Sequence, residues 1–172
     1  MILGTIVHRT LLTGILLCGM AVLCHAQKKT VSDMFRVMPD SLLPVLSENN
    51  RLDMIDFMAS GMKAAVTNRI GGESEMTALT DDSLRVKVSD AQTVTLLLVS
   101  PLDSIESGNP IICFVRTYGT DESMLQSVTS FYTTQWSQIL QEPPLKDADV
   151  KRIKALDVQT ILNWERDILK KD

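Results

Sequence analysis

The chain has 172 residues, of which 45% are hydrophobic, 22% charged and only 5% aromatic, proportions of a folded globular chain rather than of a disordered, collagen-like or coiled-coil one. A formal net charge of -4 and a pI of about 5.2 argue against a protein built to neutralise phosphates, so no nucleic-acid partner is expected.

Residues 1–26 read as a secretory signal peptide: Arg9 in a short polar start, an apolar run from Leu11 to Leu23, and Cys24-His25-Ala26 before Gln27. That run of 13 residues is shorter than the roughly 20 a membrane-spanning helix needs, so no transmembrane helix is expected after processing. Neither Cys18 nor Cys24 follows a small residue, as a lipidated cysteine would. Processing removes one cation, Arg9, and no acid, so the net charge moves from -4 to -5. It also removes both histidines, His8 and His25, and leaves Cys113 as the one remaining cysteine. A chain without histidine has no Ser-His-Asp or Cys-His machinery and no His-containing zinc site, which inclines the reading away from an enzyme. Residues 27–172 are then expected to form one α+β domain, helical over 27–61, an antiparallel sheet over 62–136 and helical again over 145–172.

Val31, Met34, Phe35 and Met38 recur at helical spacing, and Leu52, Ile55, Phe57, Met58 and Met62 form a second set. Pro39 and Pro44 divide this stretch into short pieces. Asp40-Ser41 suits a short turn at Leu42 and Leu43, and Ser47 or Asn49 suits the cap of a helix that Gly61 closes. After Gly61 the period becomes two, most plainly in Leu84-Arg85-Val86-Lys87-Val88, a half-buried strand. Thr93 to Val99 and Ile111 to Tyr118 are apolar on both faces and belong near the centre of the sheet. Lys63 to Ile70, Glu75 to Leu79 and Val128 to Trp136 bring the expected sheet to five or six strands. Gly71-Gly72, Asp81-Asp82-Ser83, Ser89-Asp90-Ala91 and Gly119-Thr120-Asp121 are turns whose short spacing favours antiparallel hairpins. Ser100 to Pro110 is the one long connection. Beyond Pro143-Pro144, helical spacing returns through Val150, Ile153, Val158, Ile161, Leu162, Ile168 and Leu169, with Asp157 suited to cap a last helix. The apolar stripe of these C-terminal helices is expected to pack on the sheet.

Several residue groups carry candidate chemistry. Ser60-Gly61-Met62-Lys63 matches the S-x-x-K pattern in which a lysine activates a serine. No K-T-G element follows it, however, and Gly61 interrupts the helix, so no catalytic residue is assigned. Met54, Met58 and Met62 recur every four residues, spacing that suits core filling, an adaptable apolar groove, or a thioether site for Cu(I). Tyr132 and Trp136, on one strand, point to the same face and form either a recognition patch or a surface covered by helices. Between Glu73 and Glu122 nine carboxylates face three cations. Asp81, Asp82, Asp121 and Glu122 are the acids to consider for calcium, but none sits in D-x-D-x-D-G spacing, so no metal site is assigned. Cys113 lies in an apolar strand, where a thiol is ordinarily buried and inert. No cofactor motif is present.

Val31-Ser32-Asp33-Met34-Phe35, Met38-Pro39, Leu52-Asp53-Met54-Ile55-Asp56 and Ser130-Phe131-Tyr132 leading to Gln135-Trp136 resemble a family of small exported Bacteroidales proteins classed as a domain of unknown function. The likeness covers most of residues 28–165 and implies export without transferring a catalytic or cofactor residue. The leading expectation is a non-enzymatic periplasmic or cell-surface module that binds an envelope protein or an apolar ligand through Met54, Met58 and Met62 or through Tyr132 and Trp136. The alternative is a carboxylate-dependent enzyme or calcium-dependent glycan binder working through the acidic loops. Oligomeric state has no signature in the sequence.

Overall fold

The computed structural model of the protein describes residues 29–102, 109–120 and 125–156. Helix α1, Val31–Arg36, starts at a reciprocal cap: the Asp33 N–H donates to Thr30 Oγ1 at 3.3 Å and the Thr30 N–H to Asp33 Oδ2 at 2.8 Å. These bonds hold the Asp33 carboxyl below the usual carboxylate range. A 3-10 turn over Asp40–Leu42 occupies the segment between the two prolines. Helix α2, Glu48–Ala59, is capped by Ser47, whose side chain accepts from the Asn50 N–H. It ends as Gly61 (φ +67°) donates to the Met58 carbonyl and Met62 to that of Phe57, a left-handed stop that glycine adopts without side-chain cost.

Seven strands follow: β1 Ala64–Thr67, β2 Glu73–Leu79, β3 Ser83–Ser89, β4 Gln92–Val99, β5 Ile111–Tyr118, β6 Gln126–Tyr132 and β7 Gln138–Ile139. They lie in chain order in one sheet, every neighbouring pair antiparallel. The fold is therefore α+β, and the strand beyond the expected six is the two-residue β7. The double-sided apolar strands β4 and β5 do sit in the middle, paired from Gln92↔Tyr118 to Val99↔Ile111. The alternation of Leu84, Val86 and Val88 against Arg85 and Lys87 gives β3 one buried and one exposed face.

Alternation splits the core into two clusters on opposite faces of the sheet. On the first face Leu84, Val86, Leu96, Ile112 and Phe114 pack against Phe35, Met38, Leu46 and Met54 of the N-terminal helical layer. On the second, Leu97, Val99, Ile111, Cys113, Val115 and Phe131 pack under helix α3, Asp147–Lys154, through Val150 and Ile153. Two polar links fix α3 there: the Ser100 N–H donates to Asp149 Oδ2 at 3.1 Å, and Arg152 pairs with Asp82 at 3.1 Å. The expected cap Asp157 and the stripe from Val158 to Leu169 lie outside the described residues.

Arg51 is the largest polar group inside the N-terminal layer, 2% exposed. Its guanidinium donates to the carbonyls of Phe35 (3.1 Å), Leu46 (3.1 Å) and Met38 (2.8 Å) and to Asp40 Oδ1 (2.9 Å). Arg69 closes on the other Asp40 oxygen. One side chain thus gathers α1, the 3-10 turn and the loop before α2. The two arginines, Arg51 foremost, hold the Asp40 carboxyl below the usual range.

Candidate functional site

The residues singled out in the sequence separate in space. Met54 is buried against the first sheet face, Met58 is partly buried beside it, and Met62, beyond the stop at Gly61, is 53% exposed. A period of four holds only while the helix lasts, so the three thioethers do not line one continuous groove. Tyr132 and Trp136 are both buried rather than displayed. Strand β6 ends at Tyr132, where the sequence suggested a strand through to Trp136. The intervening residues turn, with the Trp136 N–H bonded to the Thr133 carbonyl at 2.9 Å and Trp136 itself at φ +63°. Its ring packs near Phe114 (6.3 Å between centroids) and Tyr132 (5.6 Å), and its indole N–H donates to the Met34 carbonyl at 3.0 Å. These aromatics join the sheet to α1 and leave no exposed patch.

The other candidate groups are also occupied by neighbours. Lys63 Nζ lies 2.9 Å from Glu73 and 3.7 Å from Glu75, and the Glu73 bond raises its pKa. A lysine serving Ser60 as a base would need the opposite shift. Asp82 accepts from Thr80 Oγ1 at 3.0 Å and pairs with Arg152, while the Asp81 carbonyl receives the Val31 N–H at 2.8 Å. Asp121 and Glu122 lie outside the described residues. Among the described residues no three histidine, cysteine or acidic side chains come together as metal ligands, and no helix is long and apolar enough to cross a membrane. Burial, with the nearby Asp149 and Glu142 charges adding, pushes the Cys113 thiol up to about 12, far from the thiolate that nucleophilic chemistry requires.

A cleft that the sequence reading did not single out opens on the second face. It has a volume of about 460 Å³ and lies between α3, the ends of β6 and β7, and the segment leading to Leu145, within the range of small-ligand and peptide-side-chain pockets. Phe131, Ile139, Leu145, Val150 and Ile153 form its apolar wall, with Thr129, Gln138, Glu142 and Lys154 among its polar lining. Leu140, on its rim, is 89% exposed. Antiparallel alternation sets Phe131 opposite Ile139 on this face, while α3 supplies Val150 and Ile153 one turn apart. The only sequence signal for it was Ile139-Leu140, an apolar pair stranded between polar residues after the last expected strand.

The fold is similar to a solved domain of an uncharacterized protein from Porphyromonas gingivalis W83, at TM-score 0.52 and 23% identity, the match covering 66% of this chain and 57% of that one. The chain thus spans little more than half of that structure's length. No curated protein matches the chain significantly. Residues 23–161 match the model of a family described as "Protein of unknown function (DUF3256)", and the chain belongs to that family.

Proposed function

We propose that the protein is a non-enzymatic, exported binding module of the cell envelope, and that its binding site is the cleft between α3 and the β6–β7 edge. The observation that carries this reading is the cleft's composition: an apolar wall of Phe131, Ile139, Leu145, Val150 and Ile153 beside the exposed Leu140. Apolar surface left in contact with water costs about 25 cal/mol for each Å² that a partner would cover. Glu142 and Lys154 supply the cleft's two charges. Export is supported by the Arg9 start, the apolar run and the Ala26-Gln27 junction.

Native mass spectrometry of the protein purified gently from its own cell envelope tests both parts. The expected spectrum shows a chain beginning at Gln27 that carries a bound molecule, and Ile153→Trp, which fills the cleft, loses that molecule. A bare wild-type chain would overturn the binding reading, and an intact N-terminus would overturn export.

A further inference from the structure

The cleft borders a stretch of strand edge whose hydrogen-bonding groups face outward. The Thr133 N–H donates to the Ser137 carbonyl across the β6–β7 turn at 2.9 Å. Along an antiparallel strand the bonding direction alternates residue by residue, so Phe131, Thr129 and Ser127 turn their N–H and C=O groups away from β5. On the other side of β5 the Gly119 N–H meets the Ala91 carbonyl at 3.0 Å, which fixes the same alternation. Phe131 faces Ile139, but β7 ends there, while β6 extends back to Gln126. Among the described residues no strand lies opposite Thr129 and Ser127.

We propose that this edge and the cleft together bind an extended segment of a partner polypeptide, added to the sheet antiparallel to β6 as a continuation of β7. This rests on the reading of the cleft as the binding site and names its partner class. Residues of the segment opposite Thr129 and Ser127 exchange four backbone hydrogen bonds with them. Paired residues of a sheet share a face, so the side chain opposite Thr129 lies on the face of Phe131 and enters the cleft beside Val150 and Ile153. Strand addition of this kind takes affinity from the main chain and specificity from alternate side chains. A ligand without a peptide backbone leaves the outward groups of Thr129 and Ser127 to water.

The direction sets the order of charge along the segment. Glu142 belongs to the segment that rises to the bridge between Leu145 and Pro101, at the Tyr132 end of β6. Lys154 lies just before Leu156, whose carbonyl is 3.5 Å from Ser127 Oγ at the other end. An antiparallel segment therefore presents its N-terminal side to Glu142 and its C-terminal side to Lys154. The favoured sequence has a basic residue, an apolar centre and then an acidic residue. A second copy pairing β6 with β6 about Val128 would set its Leu125 opposite Phe131, where Ile139 already sits.

The test begins with hydrogen exchange on the free protein: the Ser127 and Thr129 amides exchange rapidly, at low and high protein concentration alike. Protection there would mean that the chain's own residues or a second copy hold the edge, and would overturn the proposal. A phage-displayed library of random dodecapeptides is then selected against the purified protein. The selected peptides are expected to alternate in β-branched residues, to carry the basic-apolar-acidic order, and to slow exchange at Ser127 and Thr129. Thr129→Pro removes an outward N–H without breaking a bond to β5 and weakens binding at least tenfold. Methylating alternate peptide nitrogens, which leaves the protein untouched, does the same. Binding lost in Ile153→Trp but retained in Thr129→Pro and by the methylated peptides would overturn strand addition and leave the cleft reading standing. Binding unchanged by all three, or no peptide selected, would overturn the proposal.

Discussion

Replacing Arg51 by methionine keeps most of the buried aliphatic volume and removes the guanidinium, so it isolates the polar clamp of the N-terminal layer. Three backbone carbonyls, those of Phe35, Met38 and Leu46, then lose a buried donor. The Phe35 carbonyl still accepts from the Met38 N–H at 3.4 Å, so the Met38 and Leu46 carbonyls carry the loss; at about 1–3 kcal/mol for each unsatisfied buried group, the sum comes to about 2–5 kcal/mol after relaxation. Asp40 keeps Arg69 and adds little to the loss. Against a total stability of roughly 5–15 kcal/mol, a loss of that size is a large share of what holds the fold. Urea denaturation followed by circular dichroism reads the change as a lower midpoint at unchanged slope. Arg36→Met is the control: its pair with Asp56 spans 3.7 Å between exposed groups, and its loss costs less than about 1 kcal/mol. An Arg51→Met loss no larger than the control's would refute the reasoning, because the Met38 and Leu46 carbonyls would then not depend on the guanidinium.

Trp136→Phe keeps a ring at the same left-handed backbone position but removes the N–H that serves the Met34 carbonyl. It should lower stability by about 1–3 kcal/mol, and an unchanged urea midpoint would show that this bond contributes nothing. Cys113 resists thiol reagents at pH 8 in the native protein and reacts promptly in urea; equal rates would contradict its burial. Because its folded pKa is raised to about 12, while an unfolded thiol ionises near about 8.5, its contribution is complete below the unfolded value. That contribution falls as pH climbs toward 12. Urea midpoints from pH 8 to 10 should therefore decline more steeply for the wild type than for Cys113→Ala.

Local patterns of the sequence carried over well where one interaction dominates. Ser47 caps α2, Gly61 ends it, and the alternation in Leu84 to Val88 assigns the two faces of β3, because each is settled by a few neighbouring residues. The central position of β4 and β5 followed from their apolar residues on both faces. The misreadings arose where distant contacts decide. Trp136 continued an apparent strand, but the bond to Met34 and packing on Phe114 favour a turn with positive φ, which no local preference signals. No periodicity or motif singles out Arg51, which three carbonyls ending neighbouring segments draw inside. The methionine spacing crossed a helix end, which parted Met62 from Met54. The cleft depends on α3 meeting β7 across the second face, and a strand of two residues leaves almost no periodicity to read.

The sheet's strand order is its chain order, so each strand finds its partner across a short connection, apart from the longer excursion between β4 and β5. Such a path keeps the entropy lost in closing each loop small, because that cost grows with the chain enclosed, and folds built of near neighbours assemble faster than those needing remote pairings. The hairpins from β1 to β4 have all they need for pairing once Val99 has been made, and α1 and α2 precede them in synthesis. What has to wait is Trp136, about 100 residues after the Met34 carbonyl it engages. The indole acts as a late latch, drawing the end of the meander onto helices that emerged first.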